Sequence, residues 1–178
     1  GAGMDTRAYG MLRNTDVSIL ELDQGPTQDL KREALESAGI ESDHVTFVSV
    51  DFERSNWPEA LMATSYKPKA KTLFIWEGVT LYLSASDISL TLRLLGSHSG
   101  AGSVVIADFF SRRFLATIKR SGRRILRETG EDLRFGLDLS GQQDLALKAF
   151  LTSCGVDAGE YQLLGSRHPK GASWPLPR

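Results

Sequence analysis

Four short apolar runs, each closing on an acidic residue, set the rhythm of the chain. Val17-Ser18-Ile19-Leu20-Glu21-Leu22 ends at Asp23, Val45-Thr46-Phe47-Val48-Ser49-Val50 at Asp51, Lys71-Thr72-Leu73-Phe74-Ile75-Trp76 at Glu77, and Val104-Val105-Ile106-Ala107 at Asp108. Near-continuous apolar runs of this length predict strands buried on both faces. Between them the pattern turns helical. Pro26 suits the first turn of a helix reaching about Ala38 with Gly39 as its stop, Pro58 opens a short helical segment over 57–63, and Ser84 begins a helix through about Leu95. Successive acids stand 28, 26 and 31 residues apart, about the length of a βαβ unit. The expectation is an α/β fold, a mostly parallel sheet with helices on both faces. The carboxyl ends of such strands share an edge where ligands bind, so all four acids should line one rim.

The remaining segments read less sharply. Thr6 to Leu12 suits a short helix, and Ser97-His98-Ser99-Gly100-Ala101-Gly102 suits a helix C-cap and turn without chemistry. The stretch 112–127 carries Arg112, Arg113, Lys119, Arg120, Arg123, Arg124 and Arg127 and no acid. It is expected to be one or two helices with a solvated face, the alternative being attraction of an anionic substrate or an acidic carrier protein. Gln143 to Ser153 has a helical pattern and Glu160 to Leu164 could add a late strand. Residues 1–165 are expected to form one domain, and 166–178, with three of the six prolines, His168 and Trp174, an irregular tail.

Composition narrows the function classes. A chain of 178 residues, 41% hydrophobic with formal net charge -1, fits one soluble domain large enough for an enzyme. Its near-neutral charge offers no global field for nucleic acid or an anionic membrane, and neither is expected as a partner. Cys154 is the only cysteine, which leaves no internal disulfide and no cysteine-based zinc site and makes the reducing cytoplasm the default setting. No stretch approaches 18 uninterrupted apolar residues, the length a membrane helix needs. His44, His98 and His168 have no metal-ligand spacing and no Gly-x-Ser-x-Gly elbow is present, so metal catalysis and serine hydrolysis are disfavoured.

The candidate chemistry begins at Gly1-Ala2-Gly3. A glycine turn lets a ligand approach the backbone, and an acid about 20 residues on, here Asp23, can accept bonds from ribose hydroxyls. A dinucleotide site usually wants a third glycine three positions beyond the second, where this chain has Thr6. A ligand with adenosine and no pyrophosphate therefore fits better than NAD. Such a turn normally follows a strand, so the native protein is expected to be longer at its N-terminus and residues 1–178 alone to bind weakly.

At this point Gly-Ala-Gly-Met-Asp-Thr-Arg-Ala-Tyr at 1–9, Glu-Leu-Asp-Gln at 21–24 and Trp-Glu-Gly-Val-Thr-Leu-Tyr-Leu at 76–83 resemble, in order and spacing, the leucine carboxyl methyltransferase family, including its bacterial branch associated with polyketide biosynthesis. The resemblance runs to about Phe110 and, more loosely, through Arg134-Phe135-Gly136-Leu137-Asp138 to about Leu164. It implies a Rossmann-like class I methyltransferase fold with S-adenosyl-L-methionine as methyl donor, the first strand apparently missing, and with it a basic residue that helps hold the donor's carboxylate. Carried over by motif, Gly1 and Gly3 would pack under the methionine portion, Asp23 would bind the ribose diol, and Asp51 with the backbone at Phe52 would meet the adenine. Glu77 would face the donor's amino group or the reaction centre.

The implied reaction is O-methylation of a carboxylate or hydroxyl on a small-molecule or carrier-bound acidic substrate. A carboxylate needs no strong base, and for a hydroxyl Tyr82, Glu77 or His98 are the candidates. Other readings remain: a helix cap for Asp23, core packing for Trp76 or Tyr82, a strand end or a substrate contact for Asp108. Asp5 and Arg7 either pair to fix the glycine turn or flank a helix start. For the whole chain the alternatives are a non-catalytic or degenerate Rossmann-like binding module and an NAD-dependent oxidoreductase.

Overall fold

The computed structural model describes residues 1–52, 57–122 and 132–162. In chain order they form β1 (Ile19–Asp23), α1 (Gly25–Ser37), β2 (Val45–Ser49), α2 (Trp57–Met62), β3 (Leu73–Trp76), a 3-10 turn (Thr80–Tyr82), α3 (Ala85–Ser97), β4 (Val104–Ala107), α4 (Arg112–Ser121) and α5 (Gln143–Ser153). Every expected strand ending in an acid is present, and each is followed by helical structure.

Local chemistry sets the boundaries. Pro26 lies in the first turn of α1, where its missing N–H costs nothing. Gly39, at φ +65°, ends that helix in the left-handed conformation, letting the Ile40 N–H return to the Leu35 carbonyl at 2.9 Å. Ser84 and Asp87 form a reciprocal capping box at the start of α3. The expected helix at 6–12 is instead a run of turns: Tyr9 and Gly10 both donate to the Thr6 carbonyl, and Leu12 donates to that of Arg7. The Asp5 side chain takes the Arg7 N–H at 2.8 Å, satisfying a donor at the start of the first turn. Residues 160–162 form no strand; 163 and 164, like 123–131 and the tail 166–178, lie outside the described residues.

The sheet is parallel and divided. β1 pairs with β2 from Ile19↔Val45 to Asp23↔Ser49, and β3 with β4 from Leu73↔Val104 to Trp76↔Ala107. Among the described residues no bond joins β1 to β3, so one continuous sheet is not formed. A cavity of about 1620 Å³ opens between Ile19 and Glu21 on one side and Leu73 and Ile75 on the other. The β1–β2 pair is covered on both faces. Ile19, Val45 and Phe47 pack under Leu35 of α1 and Ala8 and Tyr9, and Leu20, Leu22, Val48 and Val50 pack under Trp57, Leu61 and Leu95. The β3–β4 pair has one face under α3 and α5, where Trp76, Val105 and Ala107 meet Ile88, Leu92 and Phe150. Its other face, Leu73, Ile75, Val104 and Ile106, is exposed among the described residues.

Two polar side chains of α1 go into the core instead of solvent. Gln28 Nε2 donates to the Glu21 and Val48 carbonyls at 2.9 and 3.0 Å, stapling β1 to β2. Lys31 Nζ meets Glu21 Oε2 at 2.6 Å with both side chains buried, and it lies 5.3 Å from the Tyr9 ring centroid. Losing one partner of such a pair leaves an uncompensated buried charge. Lys31→Met is therefore expected to lower unfolding free energy by about 3–5 kcal/mol, and Glu21→Leu with Lys31→Met by clearly less, as read from urea midpoints. Equal losses in the single and double variants would contradict this account of the pair.

Candidate functional site

The glycine turn is laid across the end of β1. The Ala2 N–H and the Gly1 amino group donate to the Leu22 carbonyl at 3.0 and 2.5 Å. The Gly3 N–H donates to Asp23 Oδ2 at 2.7 Å, with Gly3 at φ +45°, a conformation that glycine adopts at no steric cost. Asp23 Oδ1 accepts the Gln24 N–H at 2.7 Å. Both Asp23 oxygens are thus oriented by backbone, and each keeps a further acceptor site. Val50 N–H donates to the Asp23 carbonyl at 2.9 Å, extending the β1–β2 ladder to the next acid. Asp51 and Phe52 follow directly, half-buried, with Phe52 packed 6.4 Å from the Trp57 ring.

The β3 end contributes from the other side. A Cβ on Gly1 would overlap Val79 Cγ2, so the turn and the loop after β3 approach each other at a distance only glycine permits. Arg7 crosses the same gap: its Nη2 lies 2.5 Å from Glu77 Oε2 and 2.5 Å from Asp5 Oδ2. The side-chain bond from Arg7 holds the Asp5 carboxyl below its ordinary value, partly opposed by burial. The Asp5–Arg7 pair is thus formed, and it extends to a residue that local spacing could not have suggested.

Gly1, Gly3, Asp23, Asp51, Phe52, Glu77 and Tyr82 all line one pocket. Tyr82 sits half-buried on the 3-10 turn beside Leu81, Leu115 and Leu133, so its ring serves packing as well as the pocket wall. Trp76 is buried in the core. Asp108, at the end of β4, directs its carboxylate to the loop after β3. Both its oxygens accept the Gly78 N–H, at 3.0 and 2.9 Å, while Thr80 Oγ1 donates to its carbonyl at 2.7 Å. It ties β4 to the loop carrying Glu77 and is absent from the pocket wall. His98 caps α3, its Nδ1 2.9 Å from the Leu94 carbonyl, and does not line the pocket. Among the described residues no group of His, Cys, Asp and Glu could hold a metal ion, and no helix is long and apolar enough to cross a membrane.

Burial raises the Asp108 carboxyl above its ordinary value of 3.8, opposed by the Gly78 bond and reinforced by the Glu77 charge. A carboxyl raised on folding contributes stability that is present below its unfolded pKa and is lost as pH rises through the folded one. The Asp108 carboxyl carbon is expected to titrate above 3.8 by NMR, and Asp108→Asn to flatten the fall of stability across that window. A midpoint at or below the ordinary value would contradict the half-buried placement.

Residues 1–96, more than half of the chain, match the profile of the leucine carboxyl methyltransferase family. A relative in Streptomyces avermitilis, named as a candidate S-adenosyl-L-methionine-dependent methyltransferase, is 36% identical over 105 residues, 58% of this chain and 36% of its own length. One of the same description in Mycolicibacterium smegmatis is 30% identical over 142 residues, 78% of this chain and 43% of its own. The chain thus spans less than half the length of these curated relatives. Among solved structures, a candidate O-methyltransferase from Nostoc punctiforme superposes with TM-score 0.58 at 10% identity, over 92% of this chain and 46% of that one. The LepI complex with SAM superposes with TM-score 0.52 at 13% identity, over 87% and 36%. The fold is that of class I methyltransferases, and the chain belongs to the leucine carboxyl methyltransferase family.

Proposed function

We propose that the protein binds S-adenosyl-L-methionine at the strand-end rim and directs its methyl group to an oxygen, a carboxylate or hydroxyl of a small-molecule or carrier-bound acidic substrate. The observation that carries this reading is the Gly3–Asp23 bond, which places a close-approach glycine turn beside an acid whose oxygens are aimed by backbone. The pocket walls suit the donor. Asp23 keeps acceptor sites for two ribose hydroxyls, Asp51 offers an acceptor and Phe52 an apolar face for adenine, and Glu77 offers a carboxylate for an ammonium.

When bound, the donor supplies a methyl group activated by a sulfonium. The chain's own contribution is alignment and exclusion of water, which together supply roughly 7–11 kcal/mol in favourable systems. A carboxylate acceptor is ionised at neutral pH and asks for no base. For a hydroxyl acceptor, Tyr82 and Glu77 are the pocket residues able to handle its proton. Small acids of the polyketide type, free or carrier-bound, are the class to assay, in a cytoplasmic setting. One observation favours a second reading, a non-catalytic binding module: the described strands remain two unjoined pairs.

Calorimetry on the polypeptide that carries this sequence separates these readings. It is expected to show saturable binding of S-adenosyl-L-methionine and none of NAD, with Asp23→Ala weakening the donor by about 10–100-fold through lost charged hydrogen bonds. Label from a methyl-labelled donor should appear in a base-labile ester when the acceptor is an acid. Absence of donor binding would leave the binding-module reading, and equal affinity in the variant would remove Asp23 from the site.

A further inference from the structure

The Arg7 guanidinium joins two parts of the pocket that no backbone bond connects among the described residues. Its Nε reaches Asp5 Oδ2 at 2.7 Å and its Nη2 reaches the same oxygen at 2.5 Å, while the Arg7 N–H holds Asp5 Oδ1 at 2.8 Å. The guanidinium is thereby fixed from the glycine segment before it meets Glu77 Oε2 at 2.5 Å, 70 residues further along. Nε thus donates to Asp5 and Nη2 to Glu77. Glu77 Oε1 takes no hydrogen bond among the described residues, and Glu77 lines the pocket.

We infer that Arg7 is a positioning residue that sets Glu77 for the ammonium end of the methyl donor, an inference that rests on the donor reading above. The charges select that end. One guanidinium between two carboxylates leaves the group net negative, and Asp108 behind it adds a further acid close enough to feel the Glu77 charge. Such a group attracts a cation and repels the donor's carboxylate. The Arg7 and Glu77 side chains are 39% and 47% exposed, so their pair adds little to folding stability. Its consequence lies in orientation: with Oε2 held, the Glu77 carboxylate no longer rotates freely.

The test compares two ligands by calorimetry on the polypeptide that carries this sequence. S-adenosyl-L-methionine has the amino-acid group; methylthioadenosine shares the adenosine and lacks it. Arg7→Met is expected to weaken the donor about tenfold and leave methylthioadenosine within about twofold, with only a small fall in melting temperature. Arg7→Lys should restore part of the loss, and Arg7→Met should add nothing in a Glu77→Gln background. The Asp5 carboxyl, held low by Arg7, should return toward its ordinary titration in Arg7→Met. Equal weakening of both ligands, or additive losses in the double variant, would make Arg7 merely structural and overturn the inference. A Glu77→Gln variant with unchanged donor affinity would remove Glu77 from the site and this inference with it. A protein that binds neither ligand would refute the donor reading itself.

Discussion

The hydrogen bond from the Gly3 N–H to the Asp23 carboxylate is the constraint on which the rest of the pocket depends. It joins the first turn to the end of β1, and a charged acceptor makes it stronger than a neutral bond. With the Ala2 bond to Leu22 it aims a backbone turn at the same rim as the acids. The parallel register of β1 with β2 then carries that rim to Asp51 through the Val50 bond to the Asp23 carbonyl. Three kinds of group thus meet without any side chain having to find its own direction: open backbone, fixed carboxylates and an aromatic face at Phe52.

Stability is spread unevenly beneath the rim. The β1–β2 pair is sealed on both faces and stapled by Gln28, and the Lys31–Glu21 pair lies in its core. The β3–β4 pair is anchored by Ile88, Leu92 and Trp76 on one face, with Leu73, Ile75, Val104 and Ile106 exposed on the other. Unpaired strand edges and an open apolar face are features that folded proteins generally cover. What holds the two ends together at the pocket is short and specific. Gly1 packs against Val79, Arg7 reaches Glu77, and Asp108 secures the Gly78 loop. The site is therefore positioned by a few polar contacts at its rim as much as by the core below it.

Local pattern made the strands, their order and the acids at their ends readable, because each depends on a few neighbouring residues. Asp23, Asp51 and Glu77 reached the pocket for that reason. Asp108 ended its strand as expected, yet its carboxylate turned to Gly78, 30 residues away in sequence, a partner that local spacing does not reveal. The helix expected at 6–12 gave way to turns, with Tyr9 and Gly10 sharing the Thr6 carbonyl. The burial of Lys31 rests on its pairing with Glu21, ten residues earlier and on another element.

The central claim is that one donor site is assembled from the ends of β1, β2 and β3. Its most direct test is an amide chemical-shift titration of the polypeptide carrying this sequence with S-adenosyl-L-methionine. The account predicts saturable shifts, with one dissociation constant, at Gly3, Gln24, Phe52 and Gly78, while Ile88 and Leu92 in the core remain unmoved. Shifts confined to one strand pair, or none at these four positions at saturating donor, would contradict it.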